Sequence, residues 1–247
     1  MFNIFNVLLY QPLFQSLLFL TNILGGSLGL SIIALTLLLR FILIPLTIPS
    51  LKSAQKIKDL KPELDKLKAK YGADKKQLQL EQLKLYQQHG VNPAAGCLPT
   101  LIQFAVLIAM YQVLMDFITK NGNLGNINLH FLWFNVSQPD PIYILPLLTG
   151  ISQLVLSLML SPAIEHHPET TKAKTENVQD MAETMQQQML FIMPVMTAVL
   201  ALRFPAGLAL YWLVTTVFST IQQYFVSGWG GLARYFNLAR KYVRNHR

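Results

Sequence analysis

Charge is scarce in this chain of 247 residues and absent from its first part: Lys, Arg, Asp and Glu make up 13% of the whole, and none of them occurs in residues 1–39. A solvated globular domain carries about a quarter of its residues as charges, so a soluble fold is excluded. Hydrophobic residues reach 52%, the mean hydropathy is +0.37, and several apolar runs are long enough to cross a bilayer. One cysteine, Cys97, excludes an internal disulfide and a multi-cysteine metal site, and leaves the redox compartment open. No Gly-rich phosphate loop is present, so nothing in the sequence calls for a nucleotide or another cofactor. An intramembrane hydrolase needs a nucleophile with its base, or a carboxylate pair, at depth. No histidine, aspartate or glutamate holds such a place, and an enzyme is not expected.

What is present begins with five candidate spans, at residues 28–49, 95–118, 141–162, 188–204 and 207–227. Ten lysines lie between Lys52 and Lys84, and five basic residues between Arg234 and Arg247. Placing the lysine-rich stretch inside the cell by the positive-inside rule puts the amino terminus and residues 119–140 outside, and residues 163–187 and the carboxy terminus inside. Both basic regions then face the cytoplasm. The protein is therefore expected to be multi-pass in a plasma membrane.

Residues 1–26 lack the basic n-region of a secretory signal, and no lipobox cysteine follows. Asn3, Asn6, Gln11 and Gln15 interrupt an otherwise apolar helix, which suits one lying along the outer interface; a further span or a cleaved leader are the alternatives. Between the first two spans, Ile57, Leu60, Leu64, Leu67 and Tyr71 recur at helical spacing. Gly72 can end that helix, Asp74 can start a second through Leu78, Leu85 and Tyr86, and Gly90 ends it. The pattern predicts a helical hairpin over residues 50–91, either a solvated topogenic loop or a docking arm for anionic lipid, ribosome or nascent chain.

Arg40 stands inside the apolar run GLSIIALTLLLRFILIPLTIP from Gly29 to Pro49. A cation near the middle of a spanning helix costs about 2.5–3.5 kcal/mol on insertion scales, so it usually faces protein or water and serves a function. No acidic residue lies deep enough in an apolar segment to pair with it. Lys52 is about 18 Å farther along the helix, at 1.5 Å per residue, beyond the reach of a snorkelling side chain. Thr36 is one turn from Arg40. On the last span Trp212, Thr215, Thr216, Ser219, Gln222 and Gln223 follow a three- and four-residue rhythm. The third span adds Ser152, Gln153, Ser157 and Ser161, the second Thr100 and Gln103, with Tyr111 and Gln112 nearer the outer end. Such stripes serve either helix-to-helix hydrogen bonds or the wall of a wet recess. A recess open to the cytoplasm would solvate the guanidinium; backbone carbonyls are the other way to satisfy it.

NPAAGCLPTLIQ at residues 92–103, DPIYILPLLTG at 140–150, FPAGLALYW at 204–212 and TIQQ at 220–223 resemble the signatures of the YidC-type membrane protein insertases, relatives of the mitochondrial Oxa and chloroplast Albino proteins. The order of elements agrees with that family over nearly the whole chain, although the large periplasmic domain of the Gram-negative members is absent. The resemblance implies an all-α membrane protein in which five transmembrane helices enclose a hydrophilic groove open to cytoplasm and lipid. Its parts would be an external interfacial helix (1–26), the first span (27–49), the cytoplasmic hairpin (50–91), the four-span remainder (92–227) and a basic cytoplasmic tail (228–247). The implied activity is to receive nascent membrane proteins and release their helices laterally, with the ribosome, a Sec translocon and membrane lipids as candidate partners. Arg40 matches the family's groove arginine; Thr36 and Trp212 match positions that contact or support the entering chain. Gln103, Gln153, Thr216 and Ser219 are the further groove-lining candidates.

A substrate helix gains about 0.3–0.6 kcal/mol per leucine-like residue by partitioning, while an acidic flank costs about 2.5 kcal/mol or more per charge at mid-bilayer. A fixed cation about 4 Å away offsets up to about 4 kcal/mol of that at an effective dielectric near 20. Other readings of the same residues are weaker. Met181, Met185, Met189, Met193 and Met196 could form a copper-handling track, but packing explains them. His166 and His167 lack further nearby ligands and read as a solvated loop. A small anion transporter using Arg40 is the rival from another class, and no convincing internal repeat supports it. The tail, with Arg234, Arg240, Lys241, Arg244 and Arg247 among aromatics, suits an interfacial helix, a ribosomal RNA contact or a topogenic stop.

Overall fold

The computed structural model describes residues 5–72, 74–92, 98–119, 127–160 and 178–233. Cys97, His166, His167 and the tail from Arg234 onward lie outside the described residues, as do most of the NPAAGC stretch and the side chains of Met181, Met185 and Met189. A π-helical turn, Asn6–Tyr10, leads into α1 (Gln11–Ile23). Then follow α2 (Leu28–Asp59), α3 (Lys61–Tyr71), α4 (Lys75–Gln88), α5 (Leu98–Thr119), the strands β1 (His130–Phe131) and β2 (Phe134–Asn135), α6 (Ile144–Leu160), α7 (Val178–Arg203) and α8 (Ala206–Ser227).

Among the described residues, Leu28–Asp59 and Leu101–Thr119 are helices long and apolar enough to cross a membrane, while Ile144–Leu160 and Phe191–Arg203 are shorter apolar helices. The sequence predicts that the first span stops at Pro49, yet α2 continues to Asp59. Proline removes one backbone bond without forcing the chain to leave the helix where the loosened turn finds other donors. The carbonyls that Pro45 and Pro49 leave without a helical donor are those four residues earlier, on Phe41 and Pro45, and the helix runs through both; the Thr47 hydroxyl bonds back to Leu43 O at 3.1 Å and Ile44 O at 3.2 Å.

The cluster α6, α7 and α8 packs together, α2 lies along α8, and α1 lies along α2. By contrast α5 makes thinner contacts, with α1, α2 and α8. Helices α3 and α4 fold on each other as a hairpin. Leu60, Leu78 and Leu85 are buried there, and Asp74 caps α4 by accepting from the backbone N–H groups of Lys76 at 3.1 Å and Gln77 at 3.0 Å.

At the other end the β-hairpin plugs the helices. The first N–H groups of a helix have no partner within it, and here the hairpin's flanks provide carbonyls: Leu28 donates to Asn128 at 3.1 Å, Ala206 to Gln138 at 2.7 Å and Gly207 to Val136 at 2.9 Å. Phe134 and Val136 are buried with Phe117, Leu28 and Ile32. Only glycine admits this approach: a Cβ on Gly207 would stand 2.5 Å from Val136 Cγ1, and one on Gly29 would collide with the Phe131 ring. Asp140, 3% exposed, fastens the hairpin to α6. Its carboxylate accepts from Leu145 N at 2.7 Å, Ile142 N at 3.2 Å and Trp133 Nε1 at 3.2 Å.

Candidate functional site

Arg40 lies on α2, half-buried, and its Nη2 donates to Oε1 of Gln103 on α5 at 2.6 Å. The other end of that amide, Nε2, donates to the hydroxyl of Tyr211 on α8 at 3.0 Å. Three helices thus meet in one polar chain, cation to amide to phenol, within an otherwise apolar interior. A guanidinium has five N–H donors and no acceptor. Bonding one of them to a neutral amide leaves the charge uncancelled. The described partner is not a backbone carbonyl, the alternative to a wet recess weighed from the sequence, but a side chain from the next long apolar helix.

The acidic residue nearest in kind, Asp116, sits at the far end of α5, where it accepts a hydrogen bond from the Tyr10 hydroxyl. Thirteen residues separate it from Gln103, about 20 Å of helix. It therefore belongs to the attachment of the amino-terminal segment and leaves Arg40 as an uncompensated cation among the described residues.

The remaining predicted residues fall into three groups. Thr216 is buried on α8; its hydroxyl donates to its own helix at the Trp212 carbonyl, 2.9 Å, and approaches Oε1 of Gln153 on α6 at 3.5 Å. Trp212 and Ser219 are half-buried on the same helix. Thr36 is 1% exposed, and its hydroxyl donates to Ile32 O at 2.6 Å, bonding back to its own helix as Thr216 does. One turn before Arg40, it faces packed protein rather than the polar chain.

Tyr211 was missed by the sequence reading, which starts the α8 stripe at Trp212. Its signal was present, since residues 211, 215 and 222 share one face of a 3.6-residue helix. Tyr211 is 2% exposed. Nearer the other end, Gln222 Nε2 donates to Thr47 Oγ1 at 3.2 Å, and Phe41 meets Phe218 edge to face with ring centroids 5.3 Å apart. Those contacts close the seam between α2 and α8, at Phe218 about 10 Å and at Gln222 about 17 Å along α8 from Tyr211. No comparable packed seam joins α5 to α7 among the described residues, although Tyr111 and Phe204 approach to 5.8 Å near the plugged end.

Comparison with known proteins gives the family of the chain. Residues 19–230 match the family model described as 60Kd inner membrane protein. The chain is 38% identical over 222 residues to the membrane protein insertase YidC of Fusobacterium nucleatum subsp. nucleatum, covering 88% of this chain and 96% of that one. It is 37% identical over 223 residues to the membrane protein insertase MisCA of Bacillus subtilis, covering 88% and 77%. Among solved structures, an active YidC insertase with its first transmembrane domain resolved superposes with a TM-score of 0.60 at 27% identity, over 87% of this chain and 46% of that one. The chain belongs to the 60Kd inner membrane protein family, the YidC-type membrane protein insertases.

Proposed function

We propose that the chain is a membrane protein insertase of a bacterial plasma membrane whose capture element is the Arg40 guanidinium, set in a recess between α2, α5 and α8. Five spans, formed by α2, α5, α6, α7 and α8, would surround that recess. The lysine-rich α3–α4 hairpin and the basic tail would face the cytoplasm, and the amino-terminal helix and the β-hairpin the outside. The plug of Phe134 and Val136 supports closure at the outer end, and the lack of a packed seam between α5 and α7 among the described residues supports lateral exit there. The clients are nascent membrane proteins; ribosome, Sec translocon and lipid are candidate partners of the basic surfaces.

The observation that carries the reading is a half-buried cation whose described partner is neutral. An acidic flank entering the recess meets a charge that is already desolvated in part, and attraction at about 4 Å supplies up to about 4 kcal/mol at an effective dielectric near 20. Release follows because the pairing competes with water and with Gln103. Photo-crosslinkers at the half-buried Trp212 and Ser219 test the assignment on stalled nascent chains of a single-span client. Adducts with the client are expected from both. Adducts with lipid alone would place the recess elsewhere.

A further inference from the structure

We infer that Gln103 is the positioning residue that sets the charge selectivity of Arg40: its neutral amide holds the guanidinium in place while leaving its charge available to a client carboxylate. The inference rests on the reading of Arg40 as the capture group and adds what determines its strength.

The orientation of the amide is dictated by its neighbours. Arginine offers only donors, so Oε1 must face it, and Nε2 is then turned to Tyr211, which accepts at 3.0 Å. Tyr211 is buried in α8, so the amide is held from behind and the guanidinium from in front, at 2.6 Å. Glutamate has the same length and shape, but it would add the opposite charge at hydrogen-bonding distance and cancel the site from within. Leucine would fill the space without an acceptor, leaving the guanidinium untethered and free to swing. Glutamine alone of the three fixes the cation and keeps it a cation. A client carboxylate can then bond to other N–H groups of the same guanidinium, adding the attraction of opposite charges that the neutral amide does not supply. The same polar chain ties α5 to α2 and α8.

The test uses full-length protein in proteoliposomes and two single-span clients that differ only in a two-residue flank, Asp-Asp or Asn-Asn. The readout is the ratio of acidic to neutral client inserted, which is independent of how much folded insertase each sample holds. Gln103→Glu should lower that ratio at least about tenfold, the loss of one hydrogen bond to a charged group. Gln103→Leu should lower it less, and Tyr211→Phe, which frees the amide to rotate, should fall in the same direction. If both Gln103 variants reduce the two clients in equal proportion, Gln103 is a packing residue and the inference is overturned. Arg40→Ala in parallel separates the two levels: a lowered ratio there with an unchanged ratio in Gln103→Glu sinks this inference alone. An unchanged ratio in Arg40→Ala sinks the capture reading beneath it.

Discussion

An arginine placed near mid-membrane costs about 2.5–3.5 kcal/mol on insertion scales, and a hydrogen bond to a charged group returns about 1.5–3 kcal/mol. The bond from Arg40 to Gln103 therefore comes close to offsetting the placement while leaving the guanidinium's charge in force. Tyr211 bears the next share of the load. Its replacement by phenylalanine leaves the Gln103 Nε2 group inside the protein without its acceptor, a loss of about 1–3 kcal/mol, and thermal unfolding in detergent should show a lowered midpoint. An unchanged midpoint would mean that the amide finds water there. Arg40 was legible in the sequence because a charge in an apolar run has few bland explanations. Tyr211 was not singled out, since tyrosine fits a core and a polar stripe equally well. Thr36 is one turn from Arg40 by spacing, and its hydroxyl bonds back to Ile32 O, a detail that a sequence pattern does not display.

At the scale of elements, the plug is the least sequence-legible part. Residues 119–140 read simply as an outer loop, because strands of two residues, His130–Phe131 and Phe134–Asn135, are too short to display alternation. Yet they fill the space where the ends of α2 and α8 have unpaired N–H groups. Asp140 was quoted only as part of a motif, although it joins the hairpin to α6 through three accepted bonds. Asp140→Ala would strand those donors, at about 1–3 kcal/mol for a buried donor left unmade, and should lower the unfolding midpoint in detergent. Asp140→Asn, which keeps an acceptor oxygen, should recover part of the loss. Gly207→Val pushes new methyl groups into Val136 and Leu114; overpacking of this kind costs about 1–3 kcal/mol, and the same assay should register it, whereas equal stability would argue that the hairpin moves aside freely. The hairpin of α3 and α4 was easier to foresee: its leucine spacing, the Asp74 cap and Gly90, which takes a positive φ of 61°, are local signals that need no tertiary knowledge. The continuation of α2 past Pro49 was missed because a proline reads as a stop in a sequence, whereas within a bundle it removes one backbone bond without forcing the chain out of the helix.

For the whole molecule, the proposed direction of transport rests on the division between a plugged end and a lysine-rich end. The described helices do not all meet the length of a simple span; α6 runs only Ile144–Leu160. The five proposed crossings would then rely on tilt, local thinning or neighbouring protein. Orientation can be read with single cysteines in a Cys97→Ser background. A cysteine at Gln79 on α4 should react with an impermeant thiol reagent only from the cytoplasmic side, and one at Leu132, 75% exposed at the tip of the hairpin, only from outside. The reverse labelling would invert the proposed topology.

The central claim is that the charge of Arg40, and not merely a side chain of its size, carries the capture of acidic flanks. The most direct measurement is insertion of an acidic-flanked client by Arg40→Lys, Arg40→Ala and Arg40→Glu proteins in proteoliposomes. Activity should fall in that order, with Arg40→Lys retaining the most and Arg40→Glu the least. Equal insertion by all three would contradict the account.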